Sequence, residues 1–219
     1  MLLEVKNLNK SFQINNKKTK ILNDTSFSIE CNQIVSIYGA SGSGKSTLLN
    51  ILSGLMSFDS GVIKFNKQLM NVNFDFIKLR KQNLGIVFQE DHLLSEFTVI
   101  ENIMLPNIIS GNSRRKAYNS AYNLLERFSL LSIKDRYSNT LSGGERQRIS
   151  ILRAIINNPK LILADEPTGS IDEFNKEKIF SLFKDIVRVY NSSILIATHD
   201  NNVSKISNKI LNLSKGKIN

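Results

Sequence analysis

Residues 39–46 read GASGSGKS: a glycine, four residues, then Gly-Lys-Ser. Gly39, Gly42 and Gly44 open backbone conformations closed to other residues. Successive amides, those of Ala40, Ser41 and Ser43 among them, can then converge on phosphate oxygens at a helix N-terminus. Lys45 has the charge and reach for the outer phosphates. Ser46 offers a hydroxyl to Mg²⁺, and Thr47 a further hydrogen bond near the α-phosphate. The implied ligand is a nucleoside triphosphate. Further on, the apolar run LILA leads into Asp165 and Glu166. Two carboxylates at such a strand end can divide the work, Asp165 binding Mg²⁺ directly or through water and Glu166 polarising the water that attacks the γ-phosphate. Taken alone, an apolar strand ending in Asp-Glu fits a structural role equally well. His199 follows a second apolar run, ILIAT, and would emerge at the same sheet edge close to the γ-phosphate. His92 has no such setting and reads as a loop residue.

These groups need a scaffold, and the pattern of apolar residues supplies one. LLEVKNL, ILNDTSFSIE and QIVSIYG read as strands, the third ending at Gly39, and STLLNILSGL has helical spacing and closes on Gly54. A strand, a glycine-rich turn and a helix are the setting a phosphate loop requires. From about residue 85, the strand-like GIVF is followed by two helical patterns, VIENIMLPNII and SRRKAYNSAYNLLERFSLL, then by the amphipathic SGGERQRISILRAIINN. LILAD and ILIAT read as buried strands separated by the helix EFNKEKIFSLFKDIVRVY, and the tail KILNLSKGKIN as a last hairpin. Buried strands alternating with helices predict an α/β fold with a mainly parallel sheet.

The stretch LSGGERQR at 141–148 resembles the signature of ABC ATPases. Ser142, Gly143 and Gly144 would start a helix and present a hydroxyl and a positive dipole end to a γ-phosphate on the opposite subunit. A plain serine N-cap before Glu145 describes the same atoms. The resemblance covers nearly the whole chain and keeps the family's order. It implies that Gln89 senses Mg²⁺ and faces a membrane partner, that Asp172 in EPTGSID bridges two subunits, and that Phe12 stacks on adenine. The departures are Phe12 where tyrosine is commoner, Glu145 for glutamine, Ser170 and Ile171 for Asn-Leu, and Asn32-Gln33 for Gly-Glu. None removes a catalytic group. Within the family, FQEDHLLSEFTVIENIMLPNIISG and LILADEPTGSID resemble the lipoprotein-release and macrolide-export group, most of all the ATPases of lipoprotein-releasing systems; division-associated ATPases are more distant. The family likeness implies one ATPase domain over 1–219 with an antiparallel N-terminal β part and a helical insert near 90–157. It also implies ATP and Mg²⁺ as ligands, a nucleotide-dependent homodimer, integral membrane permease subunits as partners, and a peripheral place on the cytoplasmic face of the inner membrane.

Composition narrows the alternatives. With 219 residues, 41% hydrophobic, three prolines and no repeat, the chain has enough apolar material for a buried core. One cysteine, Cys31, excludes an internal disulfide, and no run approaches the roughly 18 apolar residues of a membrane span. With no charged and apolar leader at its start, the expected compartment is the cytosol. A net charge of +10 raises nucleic acid or an anionic membrane as partners, but the cations are scattered, as on a solvated surface. The clusters NNKKTK and SRRKA read as loop or helix-edge charge. Soluble nucleic-acid-handling ABC ATPases usually carry coiled-coil arms, zinc motifs or fused domains. None is present here, so no nucleic acid is expected.

Overall fold

The computed structural model describes residues 1–14, 17–71, 73–169 and 171–218; Asn15, Asn16, Val72, Ser170 and Asn219 lie outside the described residues. The chain opens with two long strands, Leu3–Ile14 (β1) and Lys17–Ile29 (β2), and Ile34–Tyr38 (β3) leads into the phosphate loop. Helix Lys45–Leu52 (α1) is followed by strands Ser60–Phe65 (β4) and Gln68–Leu69 (β5), helix Phe76–Gln82 (α2) and strand Leu84–Val87 (β6). Helices Val99–Ile109 (α3), Arg114–Arg127 (α4) and Gly143–Ile155 (α5) come before strand Leu161–Asp165 (β7). Helix Glu173–Tyr190 (α6), strand Ser193–Thr198 (β8) and the hairpin Lys209–Ser214 (β9) with Lys217–Ile218 (β10) complete the order.

Two sheets result. One is antiparallel with order β2-β1-β4-β5; the other has order β10-β9-β3-β8-β7-β6, parallel throughout except for the β9–β10 pair. Strands pointing alternate residues to opposite faces must be covered on both when every residue is apolar. The central strands obey this. Ile162, Ala164, Ile194 and Ile196 enter a core shared with α3–α6, while Leu161, Leu163, Leu195 and Ala197 enter one shared with α1 and the antiparallel sheet. The phosphate-loop core with a mainly parallel sheet and an antiparallel N-terminal sheet is therefore the observed fold.

Two readings change in detail. The first two strands run well past LLEVKNL and ILNDTSFSIE, because they pair along most of their length across register shifts. That pairing places Lys17, Lys18 and Lys20 in a strand and not in a loop, whereas Arg114–Lys116 do begin α4, after its N-cap Ser113. Asn32, standing where the family has glycine, adopts φ 59°, a left-handed conformation that asparagine tolerates. Among the described residues no helix is long and apolar enough to cross a membrane.

Candidate active site

The phosphate loop leaves β3 and ends in α1. A Cβ at Gly39 would lie 2.4 Å from Ser43 Oγ and 2.6 Å from the Leu213 carbonyl oxygen, so the loop closes only on glycine there. Gly44 has φ 104° and serves as N-cap of α1 without any side-chain acceptor. The first amides of α1 thus have no capping side chain, which together with the helix dipole makes an anion site. Lys45 is buried; its ammonium donates to the carbonyls of Gly39 at 2.7 Å and Ala40 at 3.3 Å and lies 3.4 Å from Glu166 Oε1.

Glu166 follows β7 with φ 44°, a left-handed conformation costing about 1–2 kcal/mol for a residue with a Cβ. Its amide donates to the Ala197 carbonyl at 2.8 Å, which ties it to β8. Oε2 accepts from Thr198 Oγ1 at 3.1 Å and the His199 amide at 3.2 Å, and Oε1 lies 2.9 Å from His199 Nδ1. The carboxylate is aimed by three groups of one neighbouring strand end. Thr198, silent in the sequence reading, is legible only once β7 and β8 are known to be adjacent.

Asp165 sits one residue earlier, half-buried, with Oδ1 shielded from solvent and without a hydrogen-bond partner. Burial pushes its carboxyl above the ordinary range, against the opposing pull of the Ser46 hydroxyl and Lys45. An orphaned carboxylate oxygen beside a serine hydroxyl is a donor set suited to a hard divalent cation. Among the described residues no cluster of three His, Cys, Asp or Glu could hold a metal. An ion here would take Ser46, Asp165 and Gln89 from the protein, and phosphate oxygens and water for the rest.

One cleft of about 570 Å³ brings together Phe12, Ile21, Ser41, Gly42, Gly44, Lys45, Ser46, Thr47, Gln89, Glu166 and His199. Phe12 has the Lys10 ammonium 5.4 Å from its ring centroid. A second cavity of about 460 Å³ shares Gln89 and Glu166 and adds Asp91, His92, Gly143, Arg146 and Gln147. The start of α5 is not part of the phosphate-loop cleft. Ser142 caps α5 in a reciprocal capping box, its Oγ accepting from the Glu145 amide at 3.3 Å while its own amide donates to Glu145 Oε2 at 2.8 Å. Asp172 caps α6, accepting from the Asn175 amide at 3.0 Å and from Asn175 Nδ2 at 2.7 Å. Those bonds hold its carboxyl below the usual range.

The fold and the sequence have counterparts among known proteins. The family described as ABC transporter matches residues 22–169. The lipoprotein-releasing system ATP-binding protein LolD of Blochmanniella floridana is 42% identical over 212 residues, 96% of this chain and 90% of that protein. Its counterpart in Wigglesworthia glossinidia brevipalpis is 40% identical over 220 residues, 100% and 96% of the two chains. The dimeric structure of MJ0796, a bacterial ABC transporter cassette, superposes with TM-score 0.90 at 33% identity, covering 99% of this chain and 96% of that one. A dimeric post-hydrolysis state of the same cassette bound to ADP and Pi gives TM-score 0.89 at 33% identity, with the same coverage.

Proposed function

This chain belongs to the ABC transporter family and is an ATPase, and from that footing we propose that it powers a lipoprotein-releasing transporter as a head-to-tail dimer on a separate membrane permease. One observation carries the dimeric reading. The phosphate-loop cleft contains the loop, Gln89, Glu166 and His199, while Ser142, Gly143 and Gly144 start a helix outside it. A serine hydroxyl and helix amides left off the cleft suit the nucleotide of a second copy. The relatives named for lipoprotein release, from 39% to 42% identical over most of the chain, support the cargo class.

In this reading Phe12 stacks on the base, and the loop amides with Lys45 and Thr47 hold the phosphates. Lys45 exchanges the Gly39 and Ala40 carbonyls for phosphate oxygens as the triphosphate enters. Ser46, Asp165 and Gln89 would hold a Mg²⁺ ion, which would supply positive charge against the outer phosphates. Glu166, aimed by Thr198 and His199, orients water in line with the bond from the γ-phosphorus to its bridging oxygen. Water oxygen bonds to phosphorus, the bridging bond breaks, and the proton lost by water passes to the carboxylate. Binding closes the dimer, with Asp172 bridging the copies. Loss of the γ-phosphate removes the charge joining them and the dimer opens.

The segment after Gln89 would pass this movement to the permease, with residues 90–157 moving as a helical insert. A groove of about 360 Å³ lined by Phe88, His92, Pro106, Arg153 and Asn157 borders that segment and suits a permease helix. The chain would then sit peripherally on the cytoplasmic face of the inner membrane. Glu166→Gln should leave ATP binding intact, abolish turnover and accumulate a closed dimer in gel filtration with ATP. Turnover at the normal rate would remove Glu166 from this role. Affinity purification from membranes should bring down a permease with a large periplasmic domain; recovery of nucleic acid alone would overturn the transport reading.

A further inference from the structure

Two arginines of α5 hold the segment that follows Gln89. Arg153 donates from Nη1 to the His92 carbonyl at 2.7 Å and from Nη2 to the Asp91 carbonyl at 2.5 Å. Arg146 donates from Nε to Asp91 Oδ2 at 3.0 Å and, from Nη1, to the Leu141 carbonyl at 2.7 Å. Leu141 immediately precedes Ser142. The carbonyl one residue earlier, of Thr140, is taken by Arg136, whose Nη1 also lies 3.4 Å from Glu145 Oε1. The turn that presents Ser142 is therefore fixed by arginines at two successive carbonyls. One of those arginines leads directly back to Asp91.

The Arg146 and Asp91 side chains are 37% and 26% exposed, so their ion pair contributes little to stability. Its geometry is more specific than its strength. A planar guanidinium can bond a carboxylate with one nitrogen and a backbone carbonyl with another, and a lysine cannot span both. Asp91 is also fully engaged, because its Oδ1 accepts from the Leu93 amide at 3.0 Å. Both ends of the link are thus defined: a turn two residues beyond Gln89 and the carbonyl beside the signature serine.

We propose that Asp91 is a positioning residue that acts through Arg146 to set the turn of Ser142, so that ordering of the Gln89 segment in one copy prepares the serine offered to the other copy's nucleotide. This rests on the dimeric reading above. Asp91 serves the partner's site and leaves its own copy's phosphate loop untouched.

Asp91→Asn is a selective test, because an amide can still accept from Leu93 but presents donors, not an oxygen, to Arg146. Arg153 continues to hold the backbone. In a Glu166→Gln background, ATP binding by dilute monomer should stay within twofold, whereas the protein concentration for half-dimerisation with ATP should rise by about threefold to fivefold, the upper range for a part-exposed ion pair. Arg146→Lys should do the same, and the double variant should be no worse than either single one. Unchanged dimerisation in both single variants, additive losses, or a matching loss of monomer ATP affinity would overturn the proposal. Failure of Glu166→Gln itself to dimerise with ATP would instead count against the dimeric reading.

Discussion

Lys45 and Asp165 differ in how the folded chain satisfies them. The Lys45 ammonium bonds carbonyls of its own loop and approaches Glu166, while Asp165 keeps a buried oxygen with no partner. Burial raises the Asp165 carboxyl above its unfolded value, so the favourable contribution is the neutral acid. That contribution is complete below the ordinary value near 4 and is lost as pH rises through the raised folded value. The raised value therefore works against the stability of the nucleotide-free protein at neutral pH. Asp165→Asn should raise the melting midpoint at pH 7, by about 2–4 °C for each kcal/mol recovered, with the gain fading as pH falls and wild-type Asp165 becomes neutral. The same variant should lose the Mg²⁺-dependent part of ATP affinity, on the order of tenfold for one charged ligand. Melting curves across pH check the first effect, and titration with ATP with and without Mg²⁺ checks the second; a lower midpoint for Asp165→Asn at pH 7 would contradict the assignment. At Gly39 the constraint is steric. Gly39→Ala places a methyl 2.6 Å from the Leu213 carbonyl oxygen, so it should abolish measurable nucleotide binding while the isolated β9–β10 hairpin contacts remain intact by amide exchange.

The start of α5 is built against the start of α6, and the contact is close enough to predict. A Cβ on Gly144 would stand 2.6 Å from Asn175 Cγ and 2.8 Å from its Cβ. Asn175 in turn donates to Asp172, so pushing it aside disturbs both helix starts. Gly144→Ala should cost about 1–3 kcal/mol, as overpacking does, and the further change Asn175→Gly, which removes both of the atoms in the way, should recover part of that loss in urea denaturation by opening the space. The loss persisting unchanged in the double variant would rule out this clash as its cause. Such a contact was not legible in the sequence, because Gly144 and Asn175 belong to different helices and only the packing brings them together. The phosphate loop, the Asp165-Glu166 strand end and α6 were legible, because local period and turn chemistry set them. Residues 55–83 were not read, although they hold β4, β5 and α2; their short strands pair with β1 and with each other. The Asp91–Arg146 link joins residues on opposite sides of two helices, and no local pattern announces it.

At the scale of the molecule, the two sheets, the phosphate loop and α1 leave an open cleft whose walls come from distant parts of the chain. Phe12 enters from β1, Gln89 from the end of β6, Glu166 and His199 from the ends of neighbouring strands. A ligand that touches all of these links the antiparallel sheet to the parallel one and should stabilise the whole fold. At a hundred times its dissociation constant, ATP would add about 2.7 kcal/mol, roughly 5–10 °C in midpoint for a chain of this size. Dimerisation makes a further demand. Monomer binding alone gives a midpoint independent of protein concentration, whereas a nucleotide-locked pair must unfold less readily as the protein is concentrated. Glu166→Gln with ATP should therefore show a midpoint that climbs with protein concentration, while the same protein without nucleotide shows none. Replacing Lys45 by methionine should abolish both the nucleotide shift and its concentration dependence. A Glu166→Gln midpoint that is raised by ATP but flat across a hundredfold range of protein concentration would leave the nucleotide site standing and remove the pairing of two copies around it.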